Sequence, residues 1–275
     1  MENDTKTLVA ADFVPLNIFE GLYPIEVDLV YAKKDHPNNH FPGLYDPSAQ
    51  WLWVHKDLVR PSLLTALICE SQHGWTLTAH DCLRPVEAQE KMAVYGYPPD
   101  LVSTPGTGAH PRGASMDFLP RGVDMGTPYD FFAKDLNDNP AARNAKMFPG
   151  RSEAEALAIV ERRQNFENAV LKGAAAFGQE ILPLQQEWWD FRLKDGRSER
   201  LPGATYWGDF SPVYERDLPG YMRLVGKPDP VPEPIMIGWQ EIRAVIDRDV
   251  REKAIELGLY RNAASPRVAP PSLRA

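Results

Sequence analysis

Residues 60–96 read RPSLLTALICESQHGWTLTAHDCLRPVEAQEKMAVYG, and the changes of period within them set the fold class. From Arg60 to His73 apolar residues recur at helical spacing, and Pro61 suits a first turn, where a missing backbone donor is harmless. From Trp75 to Asp81 the pattern alternates, the period of a strand with one buried face. Arg84-Pro85 then breaks the chain, and VEAQEKMAVYG resumes a helical period with Pro85 near its start. Working outward, residues 113–119 (GASMDFL) read as a second strand and the aromatic-rich residues 186–193 (QEWWDFRL) as a third. Between them, after a loop at 135–151, a long helix is expected with Ser152 as N-cap and Glu155 completing a capping box. Helices and strands in mixed order, without regular βαβ alternation, point to an α+β fold.

Beyond about residue 200 the character changes. Residues 201–236 are rich in Pro, Gly and Tyr, residues 238–257 read as one amphipathic helix, and the ending SPRVAPPSLRA reads as a disordered tail. The expected organisation is therefore a core of residues 1–200 with a C-terminal extension of residues 201–275. The extension's helix is compatible with packing on its own core, or with forming a lid or a homo-oligomer contact.

Bulk properties narrow the function classes. The chain has 275 residues, enough for a full hydrophobic core, and a formal net charge of −8. That acidity argues against nonspecific nucleic-acid binding and against a basic membrane-binding surface. No apolar run approaches the length of a membrane span, and the start MENDTKTLVAADF lacks the pattern of a secretory signal, so a cytoplasmic protein is expected. The two cysteines, Cys69 and Cys82, are expected to be reduced core residues, too few for a four-thiolate zinc site.

Three segments carry residue types suited to chemistry. In Gly108-Ala-His-Pro-Arg-Gly-Ala-Ser-Met-Asp117, a histidine on a Pro/Gly loop precedes an aspartate on a strand. An imidazole and a carboxylate are both good ligands for a divalent ion, and Gly113 permits a turn that aims both at one point. A loop histidine beside an unrelated aspartate has the same spacing. In Glu187-Trp188-Trp189-Asp190, a glutamate beside two tryptophans sits where desolvation raises its pKa toward that of a general base. On a regular strand, residues 187 and 190 face opposite ways, so service to one site requires a bulge or turn there. In Asp81-Cys82-Leu83-Arg84-Pro85, Arg84 ends a strand where a guanidinium can reach a cleft and stabilise an oxyanion, or simply form a surface ion pair.

Taken in order, these segments resemble the D-alanyl-D-alanine dipeptidase family, zinc enzymes that include the vancomycin-resistance dipeptidases. The resemblance rests on Arg84-Pro85, on His110, Gly113 and Asp117 at matching spacing, and on Glu187-Trp188-Trp189. It extends to Val123-Asp-Met-Gly-Thr-Pro-Tyr-Asp130 and to the stretch from Tyr31 to Gly43, covering about residues 20–195. It implies the family's α+β fold, an antiparallel sheet flanked by helices, shared with bacterial DD-carboxypeptidases and the hedgehog signalling domain. It also implies a metallopeptidase acting on a small dipeptide such as D-Ala-D-Ala. On this resemblance His110 and Asp117 are metal ligands, Glu187 is the general base, and Arg84 stabilises the tetrahedral intermediate. Asp130 holds the substrate amine, and Trp188 walls a small pocket.

The chain departs from the family at three positions. Asp190 stands where the family has a third zinc-binding histidine, Gly108 replaces a serine, and Ser115 replaces an alanine. A His/Asp/Asp set neutralises a divalent ion, weakens its Lewis acidity and moves preference from zinc toward manganese or iron(II). Three readings follow. Asp190 serves as the third ligand; or another histidine replaces the lost one, His80 being nearest, with His36, His40, His55 and His73 behind it; or the site has lost its metal and the protein is a catalytically silent binding module.

Overall fold

The computed structural model describes residues 7–97, 102–133, 135–194 and 210–259. Within them lie strands β1 (Phe13–Pro15), β2 (Ile25–Val27) and β3 (Trp53–His55), helix α1 (Lys56–His73), strand β4 (Leu77–Asp81) and helix α2 (Val86–Ala93). Strand β5 (Ser115–Pro120), helix α3 (Glu153–Ala175), strands β6 (Ile181–Pro183) and β7 (Asp190–Leu193), and helix α4 (Glu233–Glu256) follow. The fold is α+β, with β1 and β3 forming a small antiparallel ribbon and the other strands a five-stranded sheet ordered β2-β4-β5-β7-β6. That sheet is antiparallel except at one edge, where β2 runs parallel to β4, so the expectation of a wholly antiparallel sheet needs this correction.

Local signals explain the element boundaries. Helix α1 begins before Arg60 because His55 caps it, its Nδ1 accepting the Asp57 amide at 3.3 Å. Pro61 therefore lies inside the helix rather than in its first turn. Gly74, at φ 70°, ends α1 in the left-handed conformation that favours glycine. Helix α3 opens with the expected reciprocal box: Ser152 Oγ accepts the Glu155 amide, and Glu155 Oε2 accepts the Ser152 amide at 2.8 Å. Strand β7 starts only at Asp190, because residues 185–189 form a turn closed by the Asp190 amide on the Glu187 carbonyl.

The sheet has two unlike faces. On one, Phe118 of β5, Phe191 of β7 and Phe166 of α3 meet edge to face with centroids 5.3–5.5 Å apart. Helix α1 packs closely on α3, and a Cβ at Gly173 would stand 2.5 Å from Thr65 Oγ1 and 2.9 Å from the Pro61 carbonyl, so this crossing requires glycine. Strand alternation then turns Asp117 and Asp190 to the opposite face.

The described part of the C-terminal extension belongs to the same core. Trp239 of α4 packs on Trp51 and Trp53, with centroids 5.0 and 5.6 Å away, and Ile246, Val250 and Ala254 are buried in the main cluster. Arg60 of α1 binds Asp249 at 2.7 Å, and the Tyr23 hydroxyl donates to Asp247 at 2.9 Å. Residues 201–209 and the ending read as a disordered tail lie outside the described residues. Among the described residues, no helix is long and apolar enough to cross a membrane. Cys69 and Cys82 are free and buried, as expected.

Candidate active site

The site grows from one row of carboxylates across the sheet. A bulge in β4 between Ala79 and Asp81 sets Asp81 opposite Asp117, and Asp117 in turn pairs with Asp190 of β7. Directly paired residues share a face, so three acids stand side by side, buried to 0–2% exposure. Like charges so placed repel, and each needs its own counter-charge.

The two ends of the row are neutralised by arginine. Asp81 Oδ2 accepts Arg84 Nε at 2.8 Å and Nη2 at 2.6 Å, while Oδ1 accepts the Tyr45 hydroxyl at 2.8 Å. Asp190 Oδ2 accepts Arg192 Nη2 at 2.6 Å and Nε at 3.0 Å, and Oδ1 accepts Ser115 Oγ. Burial raises the Asp190 carboxyl, but the Arg192 guanidinium outweighs it and holds Asp190 well below the usual carboxylate range. Two of the three departures from the family pattern, Ser115 and Asp190, are thus one hydrogen-bonded pair. Arg143 secures the same turn, donating to the Asp190 carbonyl at 2.7 Å and the Leu184 carbonyl at 2.7 Å.

The middle acid is different. Asp117 Oδ2 accepts the Tyr129 hydroxyl at 3.0 Å, but its buried Oδ1 has no hydrogen-bond partner. The nearest group is His110 Nε2 at 3.5 Å, which also lies 3.7 Å from Asp190 Oδ2. His110 sits on a tight turn (His110–Arg112) closed by Gly113 at φ 58°, where a Cβ would stand 2.5 Å from the Phe13 ring. Buried Arg112 braces that loop by donating to the carbonyls of Phe210, Gly106 and Gly108. Because His110 Nδ1 meets the Cys82 carbonyl at 2.9 Å, the proton must be on Nδ1 in the neutral ring, leaving Nε2 as a lone pair aimed at the row. Burial by itself would lower the His110 pKa, but the Asp117 carboxylate more than offsets it and drives the imidazole up to about 10 when no other cation is present.

These donors suit a metal ion. Asp81, His110 and Asp117 bring ligand atoms within 4.8 Å of one another, a buried cluster that could hold one. Within it, His110 Nε2 and the orphaned Asp117 Oδ1 are the free donors, whereas Asp81 already accepts three hydrogen bonds and faces the Nδ1 edge of His110 at 3.4 Å. Asp190 reaches Nε2 from the other side, but both its oxygens are engaged by Arg192 and Ser115. His80 does not line the cleft: its Nδ1 meets the Asp28 carbonyl at 3.0 Å and its ring lies against Tyr129.

Arg84, His110, Asp117, Asp130, Glu187 and Asp190 all line one cleft. Glu187 enters it from the turn before β7, which resolves the facing problem posed by a continuous strand. Burial, then the Asp190 and Asp117 charges, push the Glu187 carboxyl well above its ordinary range. Asp130 holds φ 55°, alone among the described non-glycine residues in having positive φ. Its Oδ2 accepts the Tyr31 hydroxyl at 2.6 Å, and burial lifts its pKa to about 7. Trp188, expected to wall the pocket, is instead buried behind it, with Nε1 donating to Thr127 Oγ1 at 2.9 Å. Tyr31 and Phe132 provide the aromatic walls.

Sequence reading missed Arg192 and Asp81. The signal for Arg192 was present: residues 190 and 192 of one strand share a face, so an acid and an arginine at that spacing meet. Asp81 was hidden because only the β4 bulge brings it into the row. No protein-family profile matches the chain, and no curated protein matches it.

Proposed function

We propose that the protein is a metal-dependent hydrolase of small dipeptides, D-Ala-D-Ala or a related D-amino-acid dipeptide, on a DD-peptidase-like version of the α+β fold. One observation carries this reading: Arg84, His110, Asp117, Asp130 and Glu187, selected by their resemblance to that family, line a single cleft together with Asp190, around a buried carboxylate oxygen that accepts no hydrogen bond. His110 and Asp117 would hold a divalent ion, zinc first and manganese or iron(II) as alternatives, with Asp190 joining if it releases Arg192. When bound, the ion supplies Lewis acidity toward the scissile carbonyl and the attacking water. In its ionised form Glu187 would take a proton from that water and pass it to the leaving amine. Arg84 is oriented by Asp81 and by Gln89 at 3.3 Å, leaving one N–H on each terminal nitrogen for the developing oxyanion. Asp130 pairs with the substrate ammonium, which limits cleavage to short substrates with a free N-terminus.

The test is turnover of D-Ala-D-Ala beside metal content by elemental mass spectrometry. Glu187→Gln should lose turnover by a factor on the order of 10² or more with metal unchanged, while Asp117→Ala should lose both. Undiminished turnover in Glu187→Gln would remove this assignment. The Asp190–Arg192 pair supports a second reading, a metal-free binding protein. It predicts that the parent carries no metal after supplementation with zinc, manganese or iron(II), and still binds the dipeptide.

A further inference from the structure

The guanidinium of Arg192 has two edges, and the structure uses only one. Nε and Nη2 are committed to Asp190, at 2.6–3.0 Å. Nη1 makes no hydrogen bond or ion pair with any described residue. Arg192 lines the cleft that contains His110, Asp130 and Glu187, and its side chain keeps 18% exposure while Asp190 beneath it is sealed at 1%. Asp190 is itself fixed from behind, by Ser115 Oγ and by Arg143 on its carbonyl. A guanidinium held along one edge presents the other, Nη1 with the second N–H of Nη2, as a planar fork that matches a carboxylate.

We propose that Arg192 binds an anionic group of the ligand, a terminal carboxylate, through its free edge, and that Asp190 is the positioning residue that aims it. The site then reads its ligand at both ends, with Asp130 taking an ammonium and Arg192 a carboxylate, so it selects small zwitterions over blocked or extended peptides. The proposal rests on the dipeptide reading for the identity of the ligand, but not for the anion site itself. It gives Asp190 a role apart from metal ligation and explains why Ser115 accompanies it.

The experiment is calorimetric titration of the protein as purified with three probes: D-alanyl-D-alanine, its C-terminal amide, and acetate as the minimal carboxylate. The parent should bind the acid about tenfold or more tightly than the amide, the difference expected of one charge-assisted pair. Arg192→Gln should erase that ratio and abolish acetate binding, Arg192→Lys should restore part of it, and Asp190→Asn should reduce it with the amide's affinity little changed. Thermal melts of each variant separate this from misfolding, since a folding defect lowers acid and amide affinity together. An acid-to-amide ratio near one in the parent, or a ratio unchanged in Arg192→Gln, overturns the proposal. If neither dipeptide binds but acetate does and Arg192→Gln removes it, the dipeptide reading fails and the anion site stands. If acetate is not bound either, both fail.

Discussion

Two aspartate–arginine pairs flank Asp117, and they differ in how much of the arginine is left over. At the β4 end, Arg84 donates to Asp81 through Nε and Nη2 and to Gln89 through Nη1, and lies 5.3 Å from the Tyr31 ring centroid, so every nitrogen is engaged. At the β7 end, Arg192, which lines the cleft, gives Asp190 two nitrogens and leaves the third without a hydrogen bond to any described residue. Both keep donors for a ligand, Arg84 one N–H on each terminal nitrogen and Arg192 both N–H groups of Nη1 with one of Nη2. Between them, Asp117 Oδ1 is the position where neither arginine neutralises the row.

Substitutions at the two ends should separate these roles. Arg84→Ala leaves Asp81, 0% exposed, without its guanidinium partner and with the Tyr45 hydroxyl as its one remaining side-chain hydrogen bond, His110 Nδ1 lying 3.4 Å away, and should destabilise the fold by about 3–5 kcal/mol in urea melts. Arg192→Ala should cost less, about 1–3 kcal/mol, because Ser115 still serves Asp190 and water reaches the vacated space. Equal losses would mean that both pairs are structural. Arg192→Ala should also raise affinity for a divalent ion, since Asp190 Oδ2, 3.7 Å from His110 Nε2, becomes free to join it; metal titration checks this, and unchanged affinity would leave His110 and Asp117 as the protein ligands.

A smaller effect concerns Asp130 across the cleft. With its pKa lifted to about 7 by burial, it becomes a carboxylate only as pH rises through that value. Affinity for an ammonium-bearing dipeptide should therefore increase several-fold from about pH 6 to about pH 8, and Asp130→Asn should flatten that rise. Stability moves the other way. A carboxyl whose folded pKa is raised favours the fold while protonated, so its contribution is full below the unfolded value near 3.8 and is lost as pH rises toward 7. Ser115→Ala, which removes one neutral donor from Asp190, should have the smallest effect, about 1 kcal/mol, with a modest fall in the acid-to-amide preference.

Much of the site was legible in the residues because the groups that carry chemistry are tied to local signals. A Pro/Gly loop before a strand placed His110 and Asp117, a strand end before a proline placed Arg84, and a desolvated glutamate beside tryptophans marked Glu187. Trp188 misled for a physical reason: large aromatics fill space wherever they fall, and only packing decides whether that space is pocket or core. Of the readings open for the extension's helix, packing on its own core is the one the contacts favour, since Trp239 and the buried face of α4 join the main core.

Sequence alone determined the α+β class and the capping box that starts α3, because periodicity and capping act over a few neighbouring positions, while the resemblance to the dipeptidase family picked out the positions of Arg84, His110, Asp117, Asp130, Glu187 and Asp190, which line one cleft. Tertiary structure alone decided that Asp81, Asp117 and Asp190 stand in one row, that Ser115 and Arg192 hold the last of them, and that one oxygen of the middle acid accepts no hydrogen bond. The reason is register: a bulge of one residue in β4 and a turn before β7 determine which side chains face one another, and strand pairing joins residues far apart in the chain.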